Sequence, residues 1–175
     1  MHEKVVAIGE IGLDYYYEDN PPRELQIEAF KRQLDLACEL DMPVAIHTRD
    51  AEEDTYNILK SQKEKYENFS ALLHSYPGDV ELMEKYLQLG FYISLNGITT
   101  FKNGTFAQSV AKAIPLNRLV LETDCPYLSP TPFRGKRNEP KRVRNTAEYI
   151  AVLRGISFDK LVENTDRNTL DFYRL

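Results

Sequence analysis

Cysteine is nearly absent from this 175-residue sequence: Cys38 and Cys125 stand far apart and in no Cys-x-x-Cys spacing. That excludes a disulfide framework and a zinc ribbon, and it suits a reducing cytoplasm. Cys38 falls in a helical pattern and is expected to be a small buried hydrophobe; Cys125 is expected to be buried or to back a neighbouring ligand. Long apolar runs are lacking too. No stretch reaches bilayer-spanning length, and the opening Met-His-Glu-Lys has no signal-peptide character, so a cytoplasmic protein without a membrane partner is expected. There is no fixed-period repeat, low-complexity tract or linker, which leaves one domain over residues 1–175.

Excess positive charge is also missing. The net charge is −5, which argues against a protein that grips nucleic acid with its whole surface. The distribution is uneven, however. Arg134, Lys136, Arg137, Lys141, Arg142 and Arg144 face one acid, Glu139, so that segment carries +5 and the remainder −10. A concentrated basic patch on an acidic body suits a local anion such as phosphate; a solvated helix face is the ordinary alternative.

What is present is a succession of short aliphatic runs separated by helix-length amphipathic segments, the pattern of buried parallel strands. A first strand starts near Val5, followed by a loop Gly12–Tyr17. Asn20-Pro21-Pro22 opens a helix, with Asn as cap and Ile27, Phe30, Leu34 and Ala37 inward. Met42-Pro43 leads into a second strand, and residues 51–66 read as a charged, exposed helix. A third strand ends at His74. Asp79 caps a helix carrying Val80, Met83 and Leu87 on one face, stopped by Gly90. A fourth strand, Phe91–Leu95, a short helix near Phe106–Ala113 and a fifth strand ending at Asp124 follow. Cys125–Asn138, with Pro126, Pro130 and Pro132, is a long loop. Helices over about Lys141–Leu153 and Phe158–Tyr173 complete the chain.

Five strands cannot close an eight-stranded barrel, which needs roughly 200 residues or more. The expected fold is α/β, a (β/α) TIM-type barrel truncated at its amino end so that about five strands are visible. An open parallel sheet is the alternative, but its usual Gly-rich phosphate loop is absent.

Four candidate ligands each close an aliphatic run: Glu10, His47, His74 and Asp124. In a (β/α) barrel the carboxyl ends of the strands carry the active site. Singly, each has an ordinary explanation, as a core histidine or a turn-capping aspartate, though a carboxylate ending a buried strand needs partners. Jointly, Glu10, His47 and His74 make a two-His, one-carboxylate set of the kind catalytic zinc uses. Such donors suit a divalent metal; magnesium, manganese and zinc stay open. His2 lies roughly 26 Å from Glu10 along an extended chain and receives no role. Arg49, close behind His47, can face a phosphate or pair with Asp50 or Glu53. Arg134, Lys136 and Arg137 follow the Asp124 loop and suit phosphate binding. Tyr15, Tyr16 and Tyr127 suit base stacking, with packing as the commoner role for loop tyrosines.

At these residues the sequence resembles the TatD-type deoxyribonucleases of the metal-dependent hydrolase superfamily. The resemblance rests on Gly9-Glu10-Ile11-Gly12-Leu13-Asp14-Tyr15, Ile46-His47-Thr48-Arg49-Asp50-Ala51 and Leu73-His74-Ser75-Tyr76-Pro77-Gly78. It extends through Gly97-Ile98-Thr99-Thr100-Phe101-Lys102, Leu121-Glu122-Thr123-Asp124-Cys125-Pro126-Tyr127-Leu128 and the basic loop Pro132–Pro140, in family order. It implies a barrel with a binuclear metal site that cuts phosphodiester bonds in DNA. Glu10 would bridge two divalent metals, His47 and His74 would complete one, and Asp124 would serve the other and accept a proton from the attacking water. The family's opening strand ends in a His-x-His pair, and no His-x-His occurs here. One complete site and half of another are therefore expected, with activity reduced or lost. Alternatives are a non-catalytic remnant that self-associates or pairs with a missing amino-terminal segment, and a superfamily hydrolase acting on an amide, ester or lactone.

Overall fold

In a computed structural model, the aliphatic runs form five parallel strands in one sheet of order β1-β2-β3-β4-β5. The structure describes residues 2 and 4–175. Met1 and Glu3, part of the opening stretch read above as lacking signal-peptide character, lie outside the described residues. The strands are β1 (Ile8–Asp14), β2 (Val44–Arg49), β3 (Ala71–Leu73), β4 (Tyr92–Leu95) and β5 (Leu119–Leu121). Between them run α1 (Arg23–Glu39), α2 (Glu52–Lys65), α3 (Val80–Gln88) and α4 (Thr105–Ala113); α5 (Val143–Arg154) and α6 (Phe158–Tyr173) follow.

Strand order never reverses. A doubly wound sheet reverses at a switch point, which puts helices on both faces; an unreversed series of right-handed crossovers keeps them on one side. The core agrees. Ile11, Leu13, Val44, Ile46, Ala71, Leu73, Ile93, Leu95 and Leu119 pack against Phe30, Leu34, Leu59, Met83, Val110 and Ile150 from the helices. The sheet is thus an arc of (β/α)-barrel type, and the open-sheet alternative is set aside. On the opposite face Leu72 and Val120 pack with Phe172 of α6, flanked by Tyr92 and Tyr173.

The helices follow the sequence closely. Asp79 caps α3, its carboxylate accepting from the Leu82 N–H at 2.9 Å. Some expectations need correction. Asn20 is not the cap of α1: Pro22 holds that position, and Asn20 Nδ2 donates to the Asp14 carbonyl at 2.9 Å. The charged α2 is not wholly exposed, since Thr55, Ile58, Leu59 and Gln62 form a buried stripe. Cys38 is half-buried and accepts from Gln62 at 3.3 Å, while Cys125 is exposed rather than buried. Both are free thiols. Among the described residues no helix is long and apolar enough to cross a membrane.

β1 departs from strict alternation, and the departure places a candidate ligand. Its register with β2 runs Ile8↔Val44 and then Ile11↔Ile46, three residues against two. This bulge inserts one residue, and a one-residue slip exchanges the faces of a strand. Ile8 and Ile11 therefore both turn toward the helices, and Glu10 turns to the other face. Glu10 does not close its strand, as expected; it sits within it, and β1 continues through Gly12 to Asp14. The tyrosine loop starts correspondingly later.

Candidate metal centre

Glu10, His47 and His74 come together at one end of the sheet, each offering a ligand atom within 4.8 Å of the others. The backbone ladder fixes two of them: Gly12 is in register with His47, and the His74 N–H donates to the Ile46 carbonyl at 2.9 Å. The imidazole rings lie 6.3 Å apart. His74 is 12% exposed and Glu10 53%, so one ligand is anchored in the protein and the other faces the opening.

Each imidazole is held by its own carboxylate. Glu122 accepts from His74 Nδ1–H at 2.9 Å, and its other oxygen accepts from the Ser75 N–H at 2.7 Å. Buried Asn96 stands beside it, 2.7 Å from Ser75 Oγ, and caps the following 3₁₀ turn through the Ile98 N–H at 3.0 Å. With Nδ1 engaged by Glu122, His74 Nε2 faces Glu10 Oε2 at 3.5 Å and Asp124 Oδ1 at 4.0 Å. A ring nitrogen facing two carboxylates is an arrangement that a cation or a proton relieves. His47 repeats the pattern, its Nε2–H donating to Asp14 Oδ2 at 3.1 Å. A carboxylate on the second ring nitrogen is the usual support of a metal-ligating histidine. The donors therefore fit a divalent cation.

The electrostatics respond accordingly. Burial opposes the charged form of His74, but the Glu122 hydrogen bond and the charges of Glu122, Glu10 and Asp124 outweigh it and raise its pKa. Asp124 is raised as well: burial dominates, aided by Glu122 and Glu10 and opposed by the two histidines. Asp124 lies beyond β5 rather than at its last residue, and it has a left-handed backbone at φ 55°. Ser75 at φ 44° and Asp50 at φ 53° border the same end of the sheet. Non-glycine residues held there cost about 1–3 kcal/mol each and tend to mark functional turns.

The remaining candidates are distributed unevenly. Arg49 pairs with neither Asp50 nor Glu53; its guanidinium lies 3.6 Å from the centre of the Tyr16 ring and donates to Tyr17 Oη at 3.2 Å. Tyr15 is unsuited to stacking. Its hydroxyl donates to Asp54 at 2.7 Å, and burial with that bond pushes its pKa up to about 12. Tyr127 is 70% exposed. Arg134 stacks 3.5 Å over the Phe101 ring, and Lys136 and Arg137 are exposed. His2 is exposed and accepts from the Lys4 N–H at 3.2 Å.

Arg142, counted above only as part of the basic run, is 8% exposed and organises that loop. It donates to Ser129 Oγ at 2.7 Å, to the Arg137 carbonyl and to Glu139 at 3.1 Å, and it lies over the Phe133 ring. Asp14, Asn96, Glu122 and Arg142 were thus missed as functional supports. Period-two spacing along β1 is the signal that finds one of them, since Asp14 shares the face of Glu10 and Gly12; Glu122 lies just past the end of β5, where strand spacing gives no such signal.

The model of the TatD related DNase family matches residues 1–174. A metal-dependent hydrolase of Bacillus subtilis, YabD, is 45% identical over 99% of this chain and 67% of its own length. The Klebsiella pneumoniae protein named 3′-5′ ssDNA/RNA exonuclease TatD is 38% identical over 94% of this chain and 64% of its own. Among solved structures, the TatD homologue YJJV of Escherichia coli superposes with a TM-score of 0.90 at 30% identity, over 99% of this chain and 65% of that one. The chain spans about two thirds of the length of each of these relatives.

Proposed function

The chain belongs to the TatD related DNase family, and from that premise we propose that it hydrolyses phosphodiester bonds in DNA with the help of a divalent cation held by Glu10, His47 and His74. The observation that carries this reading is the convergence of His74 Nε2 on the Glu10 and Asp124 carboxylates, 3.5 and 4.0 Å away. A mixed imidazole and carboxylate set accommodates zinc or manganese readily and magnesium less so. When bound, such a cation supplies Lewis acidity toward phosphoryl oxygen and water. Glu10 and Asp124 are the two carboxylates available to a second cation.

The chain's own groups do the rest. Asp124, raised above its ordinary range, accepts a proton from the attacking water. Arg134, Lys136 and Arg137 neutralise phosphate, with Arg142 fixing the loop that presents them, and Tyr127 offers an exposed ring for a base. The test is cleavage of a labelled oligodeoxynucleotide by purified protein in manganese, magnesium or zinc. Cation-dependent cleavage that a chelator stops supports the reading; cleavage indifferent to chelator overturns it. Hydrolysis of small esters, amides or lactones in place of the oligonucleotide would move the substrate to that class, against which the basic loop argues.

One observation favours a further partner along β1. That strand is an edge of the sheet, and at its end the Gln26 amide stands in for a neighbouring strand, accepting from the Asp14 N–H and donating to the Asp14 carbonyl, both at 2.9 Å. A cavity of about 400 Å³ opens beside it, lined by Glu10, Gly12, Asp14, Gln26 and His47. An open edge of this kind invites strand addition. The reading is self-association or pairing with an additional segment. Light scattering showing a dimer supports self-association; a stable monomer that gains nothing from an added amino-terminal segment opposes both.

A further inference from the structure

We propose that Tyr16, Tyr17 and Arg49 form a nucleotide platform beside the metal centre, taking an unpaired base on the tyrosine rings and its phosphate on the guanidinium. The proposal rests on the phosphodiesterase reading and narrows it to single-stranded nucleic acid. Tyr16 and Tyr17 are 54% and 53% exposed, and their rings meet edge to face at 4.8 Å. The Arg49 guanidinium sits against both, 3.6 Å from the Tyr16 centroid and 5.1 Å from that of Tyr17. It forms no ion pair among the described residues, although Asp50 and Glu53 follow closely in sequence. An arginine held by rings, with most of its N–H groups uncommitted, is preorganised for a planar or tetrahedral anion.

The platform is joined to the site rather than merely near it. Arg49 lies two residues beyond His47 on β2, hence on the same face and about 7 Å along it. The Tyr15 N–H donates to the Arg49 carbonyl at 2.9 Å. Asp14 makes the second link, one oxygen accepting from the Tyr16 N–H at 3.0 Å and the other from His47 at 3.1 Å. The three consecutive tyrosines divide their work: Tyr15 turns inward to Asp54, while Tyr16 and Tyr17 leave their rings in water. Exposed aromatic faces beside a cation suit a nucleotide, because every base has a π-face and every linkage a charge. A base still paired in a duplex presents no free face, so the platform selects single strands.

The experiment compares binding of three fluorescein-labelled ligands by anisotropy with EDTA present to prevent cleavage. These are single-stranded oligothymidylate, its duplex with oligoadenylate, and an abasic oligomer of equal length and charge. The wild-type protein is expected to bind the oligothymidylate on the order of tenfold more tightly than the abasic oligomer, and more tightly than the duplex. Tyr16→Leu should erase the preference over the abasic oligomer, and Tyr16→Phe, which keeps the ring, should retain it. Equal binding of base-bearing and abasic strands by the wild type, or a preference that survives Tyr16→Leu, overturns the proposal. Cleavage of the abasic oligomer by the wild-type protein with manganese added reports the metal centre separately from the platform. A base preference without any cleavage would leave the platform standing and remove the nuclease reading instead.

Discussion

Replacing His74 by alanine is expected to lower divalent-metal-dependent DNA cleavage by more than about a hundredfold, beyond what losing a supporting partner alone costs. The substitution removes the most enclosed of the three donors and leaves Glu122 without its imidazole partner at 2.9 Å. A lost hydrogen bond to a charged group costs about 1.5–3 kcal/mol, so stability falls as well, and the variant alone does not separate site from fold. Glu10→Gln separates them. Its side chain is half exposed and supplies a ligand without core packing, so the same loss of cleavage is expected with a nearly unchanged melting curve. Glu122→Gln should fall between, weakening metal affinity or activity roughly tenfold to a hundredfold, because a neutral amide supports His74 less well. Cleavage that survives both His74→Ala and Glu10→Gln contradicts the assignment of the centre.

Gly12→Ala is expected to be the most damaging single-atom change in the sheet. A Cβ built on Gly12 would lie 1.8 Å from the His47 carbonyl oxygen, at a backbone φ of 154°. Neither atom can swing aside, since both belong to paired strands, so β1 and β2 must part where they bring Glu10 and His47 together. Overpacking of this kind costs about 3 kcal/mol or more, readable as a lower urea midpoint, and metal affinity should fall with it. Gly90→Ala is the control. Gly90 has a left-handed φ of 82° but no atom within 4 Å of the new Cβ, so only the conformational cost remains, about 1 kcal/mol. A Gly12→Ala protein as stable as Gly90→Ala would show that the two strands are not locked at this point.

The helices were legible because amphipathic spacing and local punctuation agree: Asp79 before α3, Gly90 after it, and the Phe30, Leu34 and Ala37 stripe of α1. The strands were legible as aliphatic runs, but their ends were not. His74 directly follows β3 as expected, whereas His47 lies two residues inside β2 and Asp124 three residues beyond β5. Glu10 was found by residue type and placed for the wrong reason. Its direction depends on a bulge, and a bulge is a relation between two strands that neither records alone. The same limit hid the surroundings of Arg49, which was read as facing a phosphate or pairing with Asp50 or Glu53. Its sequence neighbours Asp50 and Glu53 suggested an ion pair, while the structure brings rings from a distant loop onto its guanidinium. The carboxylates Asp14 and Glu122 lay within the motifs that carried the resemblance, yet their contacts with His47 and His74 depend on which side chains the fold brings together.

The cation binding proposed at Glu10, His47 and His74 also carries a pH dependence. A proton on His74 Nε2 competes with a cation for that atom; burial opposes the charged form, but the Glu122 hydrogen bond and the surrounding carboxylates raise the pKa of His74. Affinity therefore weakens as the pH falls through that raised value and strengthens above it. The most direct measurement is anomalous X-ray scattering from crystals of the protein grown with zinc or manganese. A peak about 2.0–2.2 Å from a Glu10 oxygen and from one nitrogen each of His47 and His74 is the result expected. A fully occupied ion elsewhere, with those three side chains left unligated, would contradict it.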